Sequence, residues 1–205
     1  MVDYKLETKL CGRVAGVDEV GRGAWAGPVF AAAAIFKINL VNFKKLRGLN
    51  DSKSMGRASR EKYFSALEEV RESGYAFFSV GVASVEEIDT LNILNATMLA
   101  MERAIKKLPF LPTTLLVDGI HAPYSTIPTK TIPKGDSKIF SIAAASIYAK
   151  VSRDRHMIYL SENFPGFGWE NNAGYGTKDH RNALFELGIT EHHRKSFAPI
   201  KNILK

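Results

Sequence analysis

The sequence predicts an α/β domain built on a mixed β-sheet, with helical additions toward its C-terminal end. Three observations carry this. After residue 54, short apolar or alternating runs take turns with segments of helical spacing, the order that lays helices on a sheet. Two earlier apolar runs, residues 14–17 and 29–36, follow each other closely, so the sheet should not be purely parallel. Finally, 45% of the 205 residues are apolar, enough for one sizeable core.

Taken in order, residues 1–12 read as a polar lead-in, 13–165 as the core, and 166–205 as loops and short helices beside it. VAGV at 14–17 reads as a central strand that ends where Asp18 and Glu19 begin. VFAAAAIF at 29–36 is short and bounded by turn signals, which favours a second strand despite the helix preference of alanine. LNDSKS has the look of a loop into a helix over roughly 57–72, stopped by Gly74. Residues 75–83 alternate as a third strand does. Ser84 and Glu87 form a capping box, and residues 91–108 carry helical spacing until Pro109. TTLLV at 113–117 is a fourth strand, and residues 129–132 are a fifth extended piece. A long amphipathic helix follows Asp136 and closes at Pro165-Gly166.

The formal charge of +7 and a pI near 9.4 suit a polyanionic partner, although basic charge also serves solubility. The single cysteine, Cys11, excludes an internal disulfide. The charged start MVDYKLETKLCGR has no signal-peptide core, and the longest apolar run is far too short to span a bilayer. A soluble, cytoplasmic protein is expected.

The chemistry concentrates in GVDEVGRG, residues 16–23. Adjacent acids at the end of an apolar strand lose solvation and repel each other, and a divalent ion is the usual neutraliser. Regular strand geometry sends Asp18 and Glu19 to opposite faces, so both reach one site only if the strand ends, bends or bulges there. Gly21 and Gly23 flank Arg22 and allow close backbone approach to a ligand. Asp118 ends the fourth strand and Asp136 precedes the long helix, so all these acids fall at element ends, where ligands of α/β sheets gather. If the first and fourth strands are parallel neighbours, Asp18 and Asp118 lie close together. Blander readings stand beside these: Asp118-Gly119 as a turn, and Asp136 as a helix cap. Gly21, Gly23 and Ala26 also satisfy a relaxed dinucleotide fingerprint, but a strand-like run follows where that motif needs a helix.

GVDEVGRG, AGPV at 26–29, NDSK at 50–53, VDG at 117–119, KGD at 134–136, AAASIYAKVSRD at 143–154, GYGT at 174–177 and HHRKSF at 192–197 together resemble the motif series of bacterial ribonuclease HII, in the family's order. Ribonuclease HIII usually differs at the position of Arg22 and carries an extra N-terminal domain. Ala24-Trp25 departs from the family's common Pro-Leu but removes no ligand. The resemblance implies an RNase H-like mixed five-stranded sheet with helices on both sides. It implies that Asp18, Glu19, Asp118 and Asp136 bind metal, that Gly21, Arg22 and Gly23 sense the ribose 2′-hydroxyl, and that Tyr175 packs on the neighbouring deoxyribose.

Four acids without a nucleophilic side chain fit two Mg2+ or Mn2+ ions about 3.5 to 4 Å apart, hydrolysing a phosphodiester in line to 5′-phosphate and 3′-hydroxyl ends. The expected partner is an RNA–DNA hybrid or duplex DNA containing a ribonucleotide, cut on the 5′ side of that ribonucleotide by a monomeric enzyme. Lys53, Lys134, Lys150, Arg153, Lys178 and Arg181 are candidates for backbone contact, each also readable as a solvated charge. His192, His193 and Trp25 read as packing or surface residues, and Ser146 and Ser152 as polar positions on a helix face. Two rivals stay open: a resolvase- or integrase-like nuclease of the same fold cutting all-DNA substrates, and a basic hybrid-binding module. Four acids would repel phosphate in the latter.

Overall fold

The computed structural model describes residues 2–10, 12–41, 43–46, 48–49 and 55–203. Its centre is a five-stranded sheet: β1 Val14–Val20, β2 Val29–Phe36, β3 Ala76–Ala83, β4 Thr114–Asp118 and β5 Thr129–Ile132. They lie side by side in the order β3-β2-β1-β4-β5. The β1–β2 and β2–β3 pairs are antiparallel, whereas β1–β4 and β4–β5 are parallel, so the sheet is mixed as expected. Val17 pairs with Val117, which places Asp18 and Asp118 beside each other at the carboxyl ends of adjacent parallel strands.

Helices cover both faces. α2 Arg57–Glu72 and α5 Phe140–Asn163 pack on one, burying Phe64, Leu67, Phe140 and Ile147 against Phe30, Ala32 and Phe36. α4 Ile93–Lys106 covers the other, setting Ala96, Ala100 and Met101 against Ala31, Ala33 and Val117. β2 is buried at every position, and its four alanines explain how a helix-preferring residue forms a strand. Both faces of the four alanines are covered by helices, and that burial outweighs a propensity of under about 1 kcal/mol per residue. On β1 the approach is closer still. A β-carbon at Gly16 would stand 2.2 Å from the Ser141 backbone, so only glycine lets α5 dock there.

Three details differ from the sequence expectation. The lead-in is a short helix, α1 Lys5–Leu10, whose buried Glu7 accepts a 2.9 Å hydrogen bond from Ser141 N–H at the start of α5. The helical run after Ser84 is two helices, α3 Val85–Leu91 and α4, divided by Asn92. Its φ of 68° breaks the helix while its side chain caps the next one. Gly135–Ser137 forms a separate 3-10 turn, and the N-cap of α5 is Ile139, so Asp136 does not cap the long helix.

The C-terminal region comprises α6 Trp169–Asn172, α7 Lys178–Leu187 and α8 Ala198–Ile203. Trp169, Phe167, Leu184 and Ile200 bury together against Met157 and Leu160 of α5, with Ala26 in the same cluster. This packing brings the C-terminal segment under the Gly21–Gly27 loop. No helix among the described residues is long and apolar enough to cross a membrane.

Candidate active site

Asp18, Asp118 and Asp136 come together from three elements, each offering a carboxylate oxygen within 4.8 Å of the others. β1 and β4 supply the first two through their parallel register, and the 3-10 turn after β5 supplies the third. Asp118 Oδ1 accepts a 2.6 Å hydrogen bond from Gly135 N–H, tying the end of β4 to the turn that carries Asp136. Asp18 is 1% exposed. Its Oδ1 accepts the Glu19 N–H at 2.7 Å, while its Oδ2 is buried without a hydrogen-bond partner among the described residues.

Burial, then the charges of Glu19 and Asp118, push the Asp18 carboxyl well above the usual carboxylate range; the Ser146 hydroxyl and the Glu19 N–H act in the opposite direction. An acceptor-only oxygen buried beside two further carboxylates is costly unless a cation meets it. The donor set is all oxygen, which suits a hard divalent ion. On this structure's own chemistry, the residues fit such an ion.

Glu19 is placed differently from the sequence expectation. β1 runs without a bulge to Val20, pairing residue by residue with β2 from Ala15–Ile35 to Val20–Phe30. The strand therefore neither ends nor bends at the acids, and successive side chains leave on opposite faces. Asp18 turns toward α5, and Glu19 turns toward the α4 side. There Glu19 lines a cleft of about 200 Å³ with Asp118, Gly119, Met101 and Lys134. Its Oε1 accepts from Arg22 Nη1 at 3.2 Å.

Arg22 borders that cleft and also the adjoining pocket of about 470 Å³, which is lined by Glu19, Val20, Gly21, Arg22, Gly23, Ile93 and Tyr175. Gly21 has φ 93° and is buried, whereas Arg22 and Gly23 are exposed. A β-carbon on Gly23 would lie 3.8 Å from the Tyr175 ring, at van der Waals distance, so these two residues stand side by side in the pocket lining. The predicted recognition residues Gly21, Arg22, Gly23 and Tyr175 thus share one pocket, joined to the acids through Glu19.

The basic candidates divide. Arg153 is fully buried, not solvent-facing. It donates to Pro28 O at 2.9 Å, Ala173 O at 2.8 Å and Ala26 O at 3.1 Å, so its donors go to protein carbonyls instead of phosphate. Lys150 is turned into an ion pair, 2.7 Å from Asp154 Oδ1, with its side chain 15% exposed. Both corrections have one cause: α5 is covered beyond its sheet-facing side, by α2 and the C-terminal helices. Lys53 lies outside the described residues.

Four residues outside the candidate site matter here, of which Ser146 reads from sequence as a helix-face polar residue and His193 as a packing or surface residue. Ser146 is buried facing Asp18. Arg194, His180 and His193 are also buried, and they brace the loops around the pocket. HHRKSF was visible as a motif, but nothing local shows which of its side chains point inward.

Comparison with known proteins agrees with this architecture. The profile of the family described as Ribonuclease HII matches residues 15–200. A ribonuclease HII of Ruegeria pomeroyi is 49% identical, over 98% of this chain and 85% of that protein. One from the Wolbachia of Brugia malayi is 48% identical, over 99% of this chain and 96% of its own length. Among solved structures, ribonuclease H2 from Pyrococcus horikoshii superposes with a TM-score of 0.74 at 26% identity, covering 94% of this chain and 97% of that one. The chain belongs to the ribonuclease HII family of metal-dependent ribonuclease H-type hydrolases.

Proposed function

We propose that the protein is an endoribonuclease that hydrolyses the RNA strand of RNA–DNA hybrids and cuts on the 5′ side of ribonucleotides embedded in duplex DNA. The carrying observation is the cluster of Asp18, Asp118 and Asp136, whose carboxylates meet within 4.8 Å, with Asp18 buried and its Oδ2 without a hydrogen-bond partner among the described residues. Asp18, Glu19, Asp118 and Asp136 would hold Mg2+ or Mn2+. When bound, two such ions supply the positive field for in-line attack by water on phosphorus, leaving 5′-phosphate and 3′-hydroxyl ends.

The chain's own residues do the rest. The Gly135 N–H holds one oxygen of Asp118 and leaves the other to the site. Asp18 is kept out of bulk water, so it can neutralise charge but not wander from its place. Arg22, already paired with Glu19, offers its remaining donors and the backbone around it to the substrate. We assign Gly21, Arg22 and Gly23 to the ribose 2′-hydroxyl, the group that separates RNA from DNA. Tyr175, 36% exposed beside Gly23, offers its ring to the next sugar. We further propose that the enzyme acts as a cytoplasmic monomer, with the +7 charge favouring a duplex partner.

The test is cleavage of a DNA duplex holding one ribonucleotide beside an all-DNA control, with Mg2+ and with chelator. Cutting confined to the ribonucleotide strand and abolished by chelator is expected. Equal cutting of both duplexes would favour the all-DNA nuclease instead, and binding without cutting would favour the hybrid-binding module.

A further inference from the structure

The segment around His192–Arg194 lies beneath the pocket and reaches both of its walls. It pairs with the loop after Arg22: Arg194 N–H donates to Trp25 O at 2.8 Å, Gly27 N–H donates to His192 O at 2.8 Å, and His193 and Ala26 form an antiparallel bridge. Arg194 and His193 are both fully buried, and their side chains reach different partners: Arg194 the carbonyls of the Arg22–Gly27 loop, His193 the His180 ring.

Arg194 donates from Nε to Gly27 O at 2.9 Å and from Nη1 to Arg22 O at 2.9 Å. The second bond fixes a peptide plane. In a trans peptide the carbonyl and the next N–H point in opposite directions. With Arg22 O drawn inward to Arg194, Gly23 N–H is turned outward, and Gly23 is exposed on the pocket rim.

His193 works through His180. Thr190 N–H donates to His193 Nδ1 at 2.9 Å, which leaves the proton of neutral His193 on Nε2. That Nε2–H faces His180 Nε2 at 3.1 Å, which also receives Trp169 Nε1–H at 3.2 Å, so His180 carries its proton on Nδ1. His180 Nδ1–H then donates to Tyr175 O at 3.0 Å. A backbone donor at one end and a backbone acceptor at the other set the polarity of the whole chain of bonds.

We propose that His193 and Arg194 are positioning residues that set the two walls of the substrate pocket, Arg194 by orienting the Arg22–Gly23 peptide and His193, through His180, by fixing Tyr175. This rests on the reading of Gly21–Gly23 and Tyr175 as the recognition surface. Substrate selection is thereby controlled by residues that never touch substrate.

The test compares Arg194→Met, Arg194→Lys, His193→Phe and His193→Gln with the wild-type chain on a duplex containing one ribonucleotide, in Mg2+. Arg194→Met and His193→Phe should raise KM roughly tenfold while kcat stays within about threefold. His193→Gln keeps a donor toward His180 and should restore most of the loss. If Arg194→Met does not fold, Arg194→Lys retains the charge, and amide exchange across residues 21–27 should quicken in it. Folded variants with wild-type KM and wild-type exchange overturn the proposal, as does a loss confined to kcat. Arg22→Ala and Tyr175→Ala serve as controls. If they raise KM and the 193 and 194 variants do not, the inference alone fails. If neither control changes KM, the reading of the pocket fails and takes the inference with it.

Discussion

Gly21 and Arg153 are fitted to each other: a β-carbon built on Gly21 would stand 2.2 Å from Arg153 Nε. The glycine also holds φ at 93°, where L side chains are strained. Gly21→Ala therefore meets a steric clash and a backbone penalty together, with no flexible neighbour to yield, because Arg153 is committed to three carbonyls. A loss of at least about 2 kcal/mol is expected. Urea unfolding measures it, and a loss below about 0.5 kcal/mol would mean that the loop has room to relax.

Arg153 gives a second expectation, opposite to that for a phosphate-binding residue. Arg153→Ala leaves Pro28, Ala26 and Ala173 carbonyls without their donor, at a cost on the order of 3 kcal/mol. For a chain of this size that is a fall in Tm of roughly 6 to 12 °C. The salt dependence of duplex binding by whatever protein remains folded should be unchanged, because no phosphate contact is lost. A shallower salt slope with normal Tm would return Arg153 to the substrate surface.

Legibility from sequence followed locality. The capping box at Ser84–Glu87, the fifth strand at Thr129–Ile132 and the helix at Arg57–Glu72 rest on neighbours within a few residues, and they stand where the pattern puts them. Asp18 and Asp118 are legible because each lies near the carboxyl end of a strand whose direction the pattern gives, whereas Asp136, in a 3-10 turn, is legible only as an acid close before the long helix. Partners far apart in sequence were not legible. Glu7 caps α5 from 134 residues away, and a six-residue polar helix leaves no periodic trace. Arg153 and Arg194 look like surface cations in a string of letters; only the covering helices show that their donors face carbonyls. A bend at Asp18-Glu19 is needed only if both acids meet one site directly. The strand instead stays regular, and Glu19 joins Asp118 through the cleft on the other face.

His193 should give the fold a pH dependence. Burial, with the nearby His180, holds its pKa down to about 4 from 6.5. Above pH 6.5 neither the folded nor the unfolded chain protonates it, so the histidine has no pH-dependent effect. Below 6.5 the unfolded chain takes up a proton that the folded one refuses until about pH 4, so stability falls across that window and then levels. The mechanism is visible in the contact itself. A second proton on either imidazole would set Nε2–H against Nε2–H across 3.1 Å or remove the acceptor for Thr190 N–H. His193→Gln cannot titrate. Thermal unfolding between pH 8 and 4 should therefore show the wild-type chain losing stability relative to His193→Gln as the pH falls, and parallel curves would contradict the assignment.

Asp18 sets stability against catalysis. Its carboxyl is raised above the ordinary 3.8 by burial and by Glu19 and Asp118, so in metal-free protein its favourable, protonated state is fully available only at low pH. That contribution is lost as pH rises through the raised folded pKa, where the carboxylate must ionise without a partner for Oδ2. Asp18→Asn is neutral throughout and puts a donor where the orphaned oxygen stood. Metal-free Asp18→Asn should thus unfold at higher temperature than wild type at pH 7, by roughly 2 to 4 °C for each kcal/mol relieved, with a smaller difference at pH 4. Mg2+ should raise the Tm of the wild-type chain and have much less effect on the variant, because binding to the folded state alone stabilises it. Turnover on the ribonucleotide-containing duplex should be abolished. A variant that is less stable without metal, or that keeps a near-normal rate, would show that Asp18 is a structural carboxylate and not part of the metal site.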